Sequence, residues 1–328
     1  MRPPGHKIHC PSYRIFMSDS SPLPSAQERL ESLLHFPQQL LLETTSHCNL
    51  NCSMCARQFN PRKWGNMDEA LARKVIDEVT SRAPDCRIWF CYFGEPLIRK
   101  RAGLFDRIRY AKDKGLKRAA INTNANLMDE RCIKDMLRSG LDEVYIGLDA
   151  ATAETYSKVR IGGNFGRVVA NVLKLIELSA GKIKITVQFG VYENNDHEVD
   201  AFKEYWSRHP VHIFTRPKLT WCGQLDDIIK SPAPRHACAW IFDSINVNED
   251  GRVPYCITDW QNKLPLGDIR NNSIFDIWQK KVIPNIIVHA RQDWANVPEF
   301  CKKCPDWQAK VPRDKKLLEL LAGMSPQL

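Results

Sequence analysis

Apolar and polar positions follow two rhythms along this chain. Short runs of β-branched, aromatic and aliphatic residues at 40–45, 87–93, 118–123, 143–148, 184–191 and 211–215 predict strands. Between them, 67–81, 101–114, 129–139, 165–178 and 196–207 repeat with helical spacing. Asp68 and Asp129 stand where helix N-caps are expected, and Gly115 and Gly140 where left-handed stops are expected. Strands alternating with helices predict a parallel sheet with right-handed crossovers. Six such units fall short of a closed eight-stranded barrel. The expected fold is α/β, an open partial (β/α)6 barrel over 38–222.

Beyond residue 219 the rhythm changes. Ser231-Pro232-Ala233-Pro234 breaks the chain, and 244–247 with 252–257 predicts a hairpin around Asn248-Glu249-Asp250-Gly251. A helix over 273–289 should kink or break at Pro284, and a short helix over 313–321 ends the chain. The expected organisation is a flexible leader (1–37), the barrel (38–222), a small cysteine-rich domain (223–310) and a terminal helix (311–328).

Composition narrows the function. No apolar run nears the ~20 residues of a membrane span, and the Pro- and Ser-rich start lacks a signal core, so a cytoplasmic protein is expected. The formal charge is +9, but the basic residues are scattered, which favours a solvated surface over a nucleic-acid interface. The 12 cysteines change the picture most. In a reducing compartment clustered thiols signal metal or catalysis rather than disulfides, and seven of these form two groups.

The first group, Cys48-Asn49-Leu50-Asn51-Cys52-Ser53-Met54-Cys55, directly follows the first strand. Three close thiolates can hold three irons of a 4Fe–4S cluster and leave the fourth without a protein ligand. The second comprises Cys238, Cys256, Cys301 and Cys304, with Gly251-x4-Cys256 closing the predicted hairpin. Four thiolates suit either structural zinc or a fully ligated cluster, and spacing alone leaves both open.

The Cys-x3-Cys-x2-Cys loop resembles the defining motif of the radical S-adenosylmethionine superfamily. That resemblance implies that S-adenosylmethionine chelates the open iron and is reductively cleaved to a 5′-deoxyadenosyl radical. Met54 occupies the position, usually aromatic, that packs near the adenine. Phe93-Gly94-Glu95-Pro96 resembles the Gly-Gly-Glu-Pro motif with Phe93 for the first glycine, so Gly94 and Glu95 would receive the cofactor's ammonium. By the same resemblance Asn124 faces the cofactor, the strand end at Gly147 lies near the ribose, and Arg160 pairs with the cofactor carboxylate. Asn194, Asn195 and Glu198 read as capping residues.

The Gly-x4-Cys element resembles the SPASM and "twitch" extensions of that superfamily, which implies a second, auxiliary 4Fe–4S cluster on four cysteines. Order and spacing are similar to the aminocyclitol-oxidising members. A small-molecule substrate and a flavodoxin- or ferredoxin-type electron donor follow from the resemblance. Cys222, in the linker Arg216–Gly223, is a candidate hydrogen-atom donor, and Arg216 and Trp221 are candidate substrate contacts. Cys10, Cys86, Cys91 and Cys132 read as structural. The expected function is oxidation of a sugar, aminocyclitol or similar alcohol. The alternatives are a radical epimerase, decarboxylase or peptide maturase, and, in another class, a non-enzymatic iron–sulfur carrier or zinc scaffold.

Overall fold

The computed structural model describes residues 24–59, 62–223, 225, 234–242, 244–310, 312 and 314–325. Cys10 and Ser231–Ala233 therefore lie outside the described residues.

Its centre is one parallel sheet. The first helix, α1 (Ala26–His35), leads into β1 (Gln39–Leu42), and the alternating units follow: α2 (Glu69–Arg82), β2 (Arg87–Trp89), α3 (Leu104–Asp113), β3 (Arg118–Thr123) and α4 (Glu130–Arg138). Next come β4 (Glu143–Gly147), α5 (Ala153–Val159), α6 (Phe165–Ser179), β5 (Lys184–Val191), α7 (Val199–Trp206) and β6 (His212–Pro217). These are the six expected units, with Asp68 and Asp129 capping α2 and α4.

The sheet has seven strands, because β7 (Ser244–Val247) joins it. The predicted hairpin is thereby corrected: β7 pairs in parallel with β1, Leu40 opposite Ile245 and Leu42 opposite Val247. It covers a sheet edge that would otherwise present unpaired N–H and C=O groups. The turn at Asn248–Gly251 does form, with Gly251 at φ 87°, but it delivers the chain to β8 (Arg252–Val253), which pairs antiparallel with β9 (Gly267–Asp268).

Two other expectations are revised. Residues 26–35, expected within a flexible leader, are helical. Ser25 and Glu28 form a reciprocal capping box, Leu30, Leu33 and Phe36 are buried, and the Leu33 carbonyl accepts from Trp278 Nε1 at 2.8 Å. Pro284 does not break its helix. A π turn at Trp278–Val282 runs between α8 (Ile274–Ile277) and α9 (Ile283–Ala290), its last bond passing from Ile283 N–H to the Trp278 carbonyl, and the proline, with no N–H to place, falls in the first turn of α9 just beyond it. Short α10 (Glu299–Lys303) and α11 (Lys315–Gly323) complete the chain, and the Arg29–Asp314 ion pair (2.5 Å) ties α11 to α1.

Candidate active site and auxiliary metal centre

The three-thiol loop leaves the carboxyl end of β1, where parallel α/β sheets place their ligands. Cys52 is buried, and Cys48 and Cys55 are half-buried. Backbone bonds from Asn51 N to the Ile161 carbonyl (2.9 Å) and from Ser53 N to the Val159 carbonyl (3.0 Å) fasten the loop to the end of α5. Glu95 N donates to the His47 carbonyl at 2.8 Å from the other side. Gly94 permits that approach, since a Cβ there would overlap the carbonyl oxygens of Thr45 and, at 2.7 Å, His47.

Cationic and amide groups surround the thiols. Arg160 Nη1 lies 3.7 Å from Cys52 Sγ and Asn124 Nδ2 4.0 Å from Cys48 Sγ, while Arg57 stacks on the Trp64 ring at 3.0 Å and faces the same thiols. These neighbours are donors, not ligands. A three-thiol set ringed by N–H groups suits a negatively charged cluster with one iron left to another molecule. Burial, reinforced by Cys52 and Cys48, pushes the Cys55 thiol up to about 12, so loading the loop with metal must displace protons.

The side chains expected at the cofactor lie around this loop, with partners of their own. Glu95 is buried. Its Oε1 accepts from Leu97 N (3.0 Å) and Thr123 Oγ1 (2.7 Å), and its Oε2 from Asn124 N (2.7 Å), so it joins the second and third strand ends. Asn124 Nδ2 donates to Asn49 Oδ1 at 3.0 Å, within the cysteine loop itself. Arg160, expected to meet the cofactor carboxylate, is ion-paired with Asp149 at 2.5 Å in this structure. Gly147 makes room for it, because a Cβ there would come within 2.9 Å of Arg160 Cζ. Half-buried Met54 accepts from Trp221 Nε1 through its carbonyl at 3.3 Å.

Sequence reasoning missed Asp149, whose φ of 56° turns its Oδ1 to accept from Gly190 N at 2.6 Å. It also missed Asn126, which accepts from Asn164 N (2.8 Å) and donates to Tyr156 Oη (3.1 Å). Asn126 ends the Asn-x-Asn-x-Asn run begun at Asn122, a visible signal. Neither Asn195 nor Glu198 makes a side-chain cap bond to the helical turn it precedes. Glu198 accepts from Ala151 N, Thr152 N and Thr155 Oγ1 around the start of α5, whose cap is Thr152, while Asn195 Nδ2 donates to the Asp149 and Gly190 carbonyls, both at 2.9 Å. Cys86, Cys91 and Cys132 are buried, and desolvation raises each thiol.

The second group also assembles. Cys238, Cys301 and Cys304 are buried and Cys256 is half-buried. Neighbouring thiols at 256, 304 and 301 add to the burial that drives Cys238 well above its ordinary range. Arg235 Nη2 (3.6 Å) and His289 Nε2 (3.6 Å) flank Cys301 Sγ. Cys222 is found here rather than in the barrel interior, its Sγ 3.2 Å from both the carbonyl and the hydroxyl of Thr258.

An aromatic wall separates the two groups. Phe93 stacks on Trp260 (centroids 6.0 Å apart, planes 11° from parallel) and meets the Trp221 edge at 5.0 Å. Cys55 packs against this cluster, and Trp221, which belongs to it, immediately precedes Cys222. The substitution of Phe for glycine in the Gly-Gly-Glu-Pro-like segment thus fills space between the two thiol groups.

A parallel partial barrel that gathers three thiols at its strand ends, with four more thiols on an appended module, defines an iron–sulfur protein class. Residues 42–205 match the radical SAM superfamily and residues 238–305 the SPASM iron–sulfur cluster-binding domain. The chain therefore belongs to the radical S-adenosylmethionine superfamily and is an enzyme of that type. Membership brings a 4Fe–4S cluster and S-adenosylmethionine to the barrel, and the SPASM module brings auxiliary iron–sulfur.

Two curated relatives illustrate the breadth. A tungsten-containing aldehyde ferredoxin oxidoreductase cofactor-modifying protein of Pyrococcus furiosus is 31% identical over 51% of this chain and 47% of its own length. A GTP 3′,8-cyclase of Desulforamulus reducens is 28% identical over 53% of each. The chain thus spans about half the length of these relatives. Among solved structures, BtrN with AdoMet and 2-DOIA superposes with a TM-score of 0.57 at 18% identity, over 82% of this chain and 93% of that one. Streptococcus suis SuiB bound to S-adenosylmethionine gives 0.57 at 12% identity, over 91% and 78%. Both likenesses are of fold. No helix among the described residues is long and apolar enough to cross a membrane.

Proposed function

We propose that this enzyme oxidises the carbinol of a small polar metabolite, a sugar or aminocyclitol, in the manner of 2-deoxy-scyllo-inosamine dehydrogenase. In this reading Cys48, Cys52 and Cys55 hold the barrel cluster, and Met54, Gly94, Glu95, Asn124, Gly147 and Arg160 form the pocket for S-adenosylmethionine. Cys238, Cys256, Cys301 and Cys304 hold the auxiliary cluster. When bound, cluster and nucleotide supply a 5′-deoxyadenosyl radical that removes a substrate hydrogen atom.

What supports the proposal is that Cys55 of the first group and Trp221, the residue before Cys222, pack in one aromatic cluster, which would set an electron acceptor beside the radical site. The barrel interior supports a polar substrate. Asn122 is exposed although it lies on central strand β3, whose outer side is covered by helices, so its side chain faces the open interior, where its Nδ2 donates to Gln188 Oε1 at 3.1 Å. Arg216 Nη1 donates to Tyr192 Oη at 3.5 Å on the last strands. Such pairs can exchange their mutual bonds for substrate hydroxyls. The wall and loop exclude water from the reaction space. A cytoplasmic flavodoxin- or ferredoxin-type donor would deliver the starting electron. With Cys222 engaged at the second group, the proposal assigns it no hydrogen-donor role.

The test is anaerobic turnover of the reconstituted, reduced enzyme with a panel of aminocyclitols and sugars. One ketone per S-adenosylmethionine consumed supports oxidation. Cys256→Ala should keep forming 5′-deoxyadenosine while losing ketone. An epimer, a decarboxylated product or a cross-linked peptide would replace this proposal, and absence of 5′-deoxyadenosine would remove it.

A further inference from the structure

The second group contains one thiol more than a cubane has irons. Cys222 Sγ, Cys304 Sγ and an Asp306 carboxylate oxygen all lie within 4.8 Å of one another, the arrangement of donors that address a single metal atom. Thr258 Oγ1 sits between Cys222 Sγ (3.2 Å) and Cys256 Sγ (3.3 Å), which sets Cys222 on the inner side of the group. The position is built, not incidental. Asp306 is fully buried and accepts from Thr220 N (2.6 Å), Thr220 Oγ1 (2.7 Å) and Cys222 N (2.8 Å), clamping the linker onto the residue just past Cys304-Pro305. Trp221, Cys222 and Gly223 run in succession through the left-handed region at φ 53°, 60° and 76°. That path brings Cys222 Sγ to 3.2 Å from the Thr258 carbonyl and hydroxyl.

From this geometry we infer that Cys222 is a fifth thiolate of the auxiliary centre, interchangeable with Cys304 at one iron. The inference rests on the iron–sulfur reading of the second group. The exchange is balanced: Cys222 releases its thiol proton as it takes the iron, Cys304 accepts one as it leaves, and no electron moves. The auxiliary centre is then not locked in a single ligand set. The residue that can change places is carried on the linker from the barrel, so movement of that linker is coupled to the iron's ligation.

The experiment counts iron and sulfide and records the electron paramagnetic resonance of the reduced full chain, beside Cys304→Ala and the Cys222→Ala/Cys304→Ala double variant. The parent should hold about eight irons, four for each cluster. Cys304→Ala should keep nearly all of them, with shifted auxiliary g-values, and the double variant should fall toward four and lose that signal. If Cys304→Ala already loses as much iron as the double variant, or the double variant keeps as much as Cys304→Ala, the inference is overturned. Cys304→Ser, with a weaker oxygen ligand and nearly the same volume, guards against misfolding of the alanine variant; adding Cys222→Ala must lower its iron content as well. About four irons plus one zinc in the parent would overturn the inference together with the reading beneath it, and is seen before any variant is made.

Discussion

Arg62 joins the barrel to the appended module, and its removal offers a quantitative test of how the two are held together. Its Nη2 lies 3.1 Å from Glu43 Oε2, at the end of β1, and its Nη1 lies 3.4 Å from Glu249 Oε2, in the turn after β7. All three side chains are buried. Glu249 Oε1 also accepts from Ser46 Oγ at 3.0 Å, two residues before Cys48. At an effective dielectric near 20, each ion pair has a gross attraction of about 4–5 kcal/mol, much of it offset by desolvation. Arg62→Met leaves two buried carboxylates facing each other, and breaking a buried pair in this way costs about 3–5 kcal/mol. For a chain of this size that corresponds to roughly 4–7 °C in Tm. The sign of the pH dependence follows from Glu43, whose carboxyl burial and then Glu249 raise well above the usual range despite Arg62. A carboxyl raised in the folded state favours folding below its unfolded value, and that contribution is lost as pH rises through the folded value. Removing Arg62 raises Glu43 further, so the variant should be hurt more at pH 8 than at pH 5, and Glu249→Gln in the same chain should restore part of the loss. Anaerobic thermal and denaturant unfolding followed by circular dichroism measures this. A loss under about 1 kcal/mol, or one independent of pH, would refute the argument.

Three further outcomes follow. Gly94→Ala forces the segment before Glu95 away from the Thr45 and His47 carbonyls, so iron in the barrel cluster should fall by at least half while far-ultraviolet dichroism stays unchanged. Phe93→Ala empties the wall between the thiol groups. It should lower stability by about 3 kcal/mol, the low end for a buried phenylalanine, and speed the bleaching of both clusters in air, read as decay of visible absorbance. With the Cys55 thiol held up at about 12 by burial, cluster reconstitution competes with protons throughout the neutral range. Loading measured by iron content should therefore climb from pH 6 to pH 9, and a flat profile would contradict the buried-thiol account.

How much of this was legible beforehand depended on whether the cause was local. Alternating apolar runs are a local cause, and β3 (Arg118–Thr123) and β5 (Lys184–Val191) begin and end where the pattern changes. The spacing of Cys48, Cys52 and Cys55 is local too, whereas Cys238, Cys256 and the Cys301–Cys304 pair come from three segments that only the fold brings near one another. For the N-terminal helix the local signal is only the Ser25-x-x-Glu28 capping box beside a Pro-rich stretch, and what holds the helix is tertiary, the burial of Leu30 and Leu33 and the Trp278 bond to the Leu33 carbonyl. β7 was misassigned for a different reason. A strand and a following turn look the same in sequence whether the strand pairs forward into a hairpin or backward onto β1, and only the exposed edge of the sheet decides. The positions of Cys222 and Arg160 are tertiary in the same sense: one is set by Asp306, 84 residues away, the other by Asp149 at a strand end in left-handed conformation. Phe93 shows where the two kinds of cause meet. Its departure from glycine was visible in the motif, but its meaning required Trp221 and Trp260, which lie on segments that only the appended module brings back to the barrel. Where a motif residue departs from its family and the substitute is large and apolar, the place to look is the domain that family members add, since that is what supplies the surface for it to bury against.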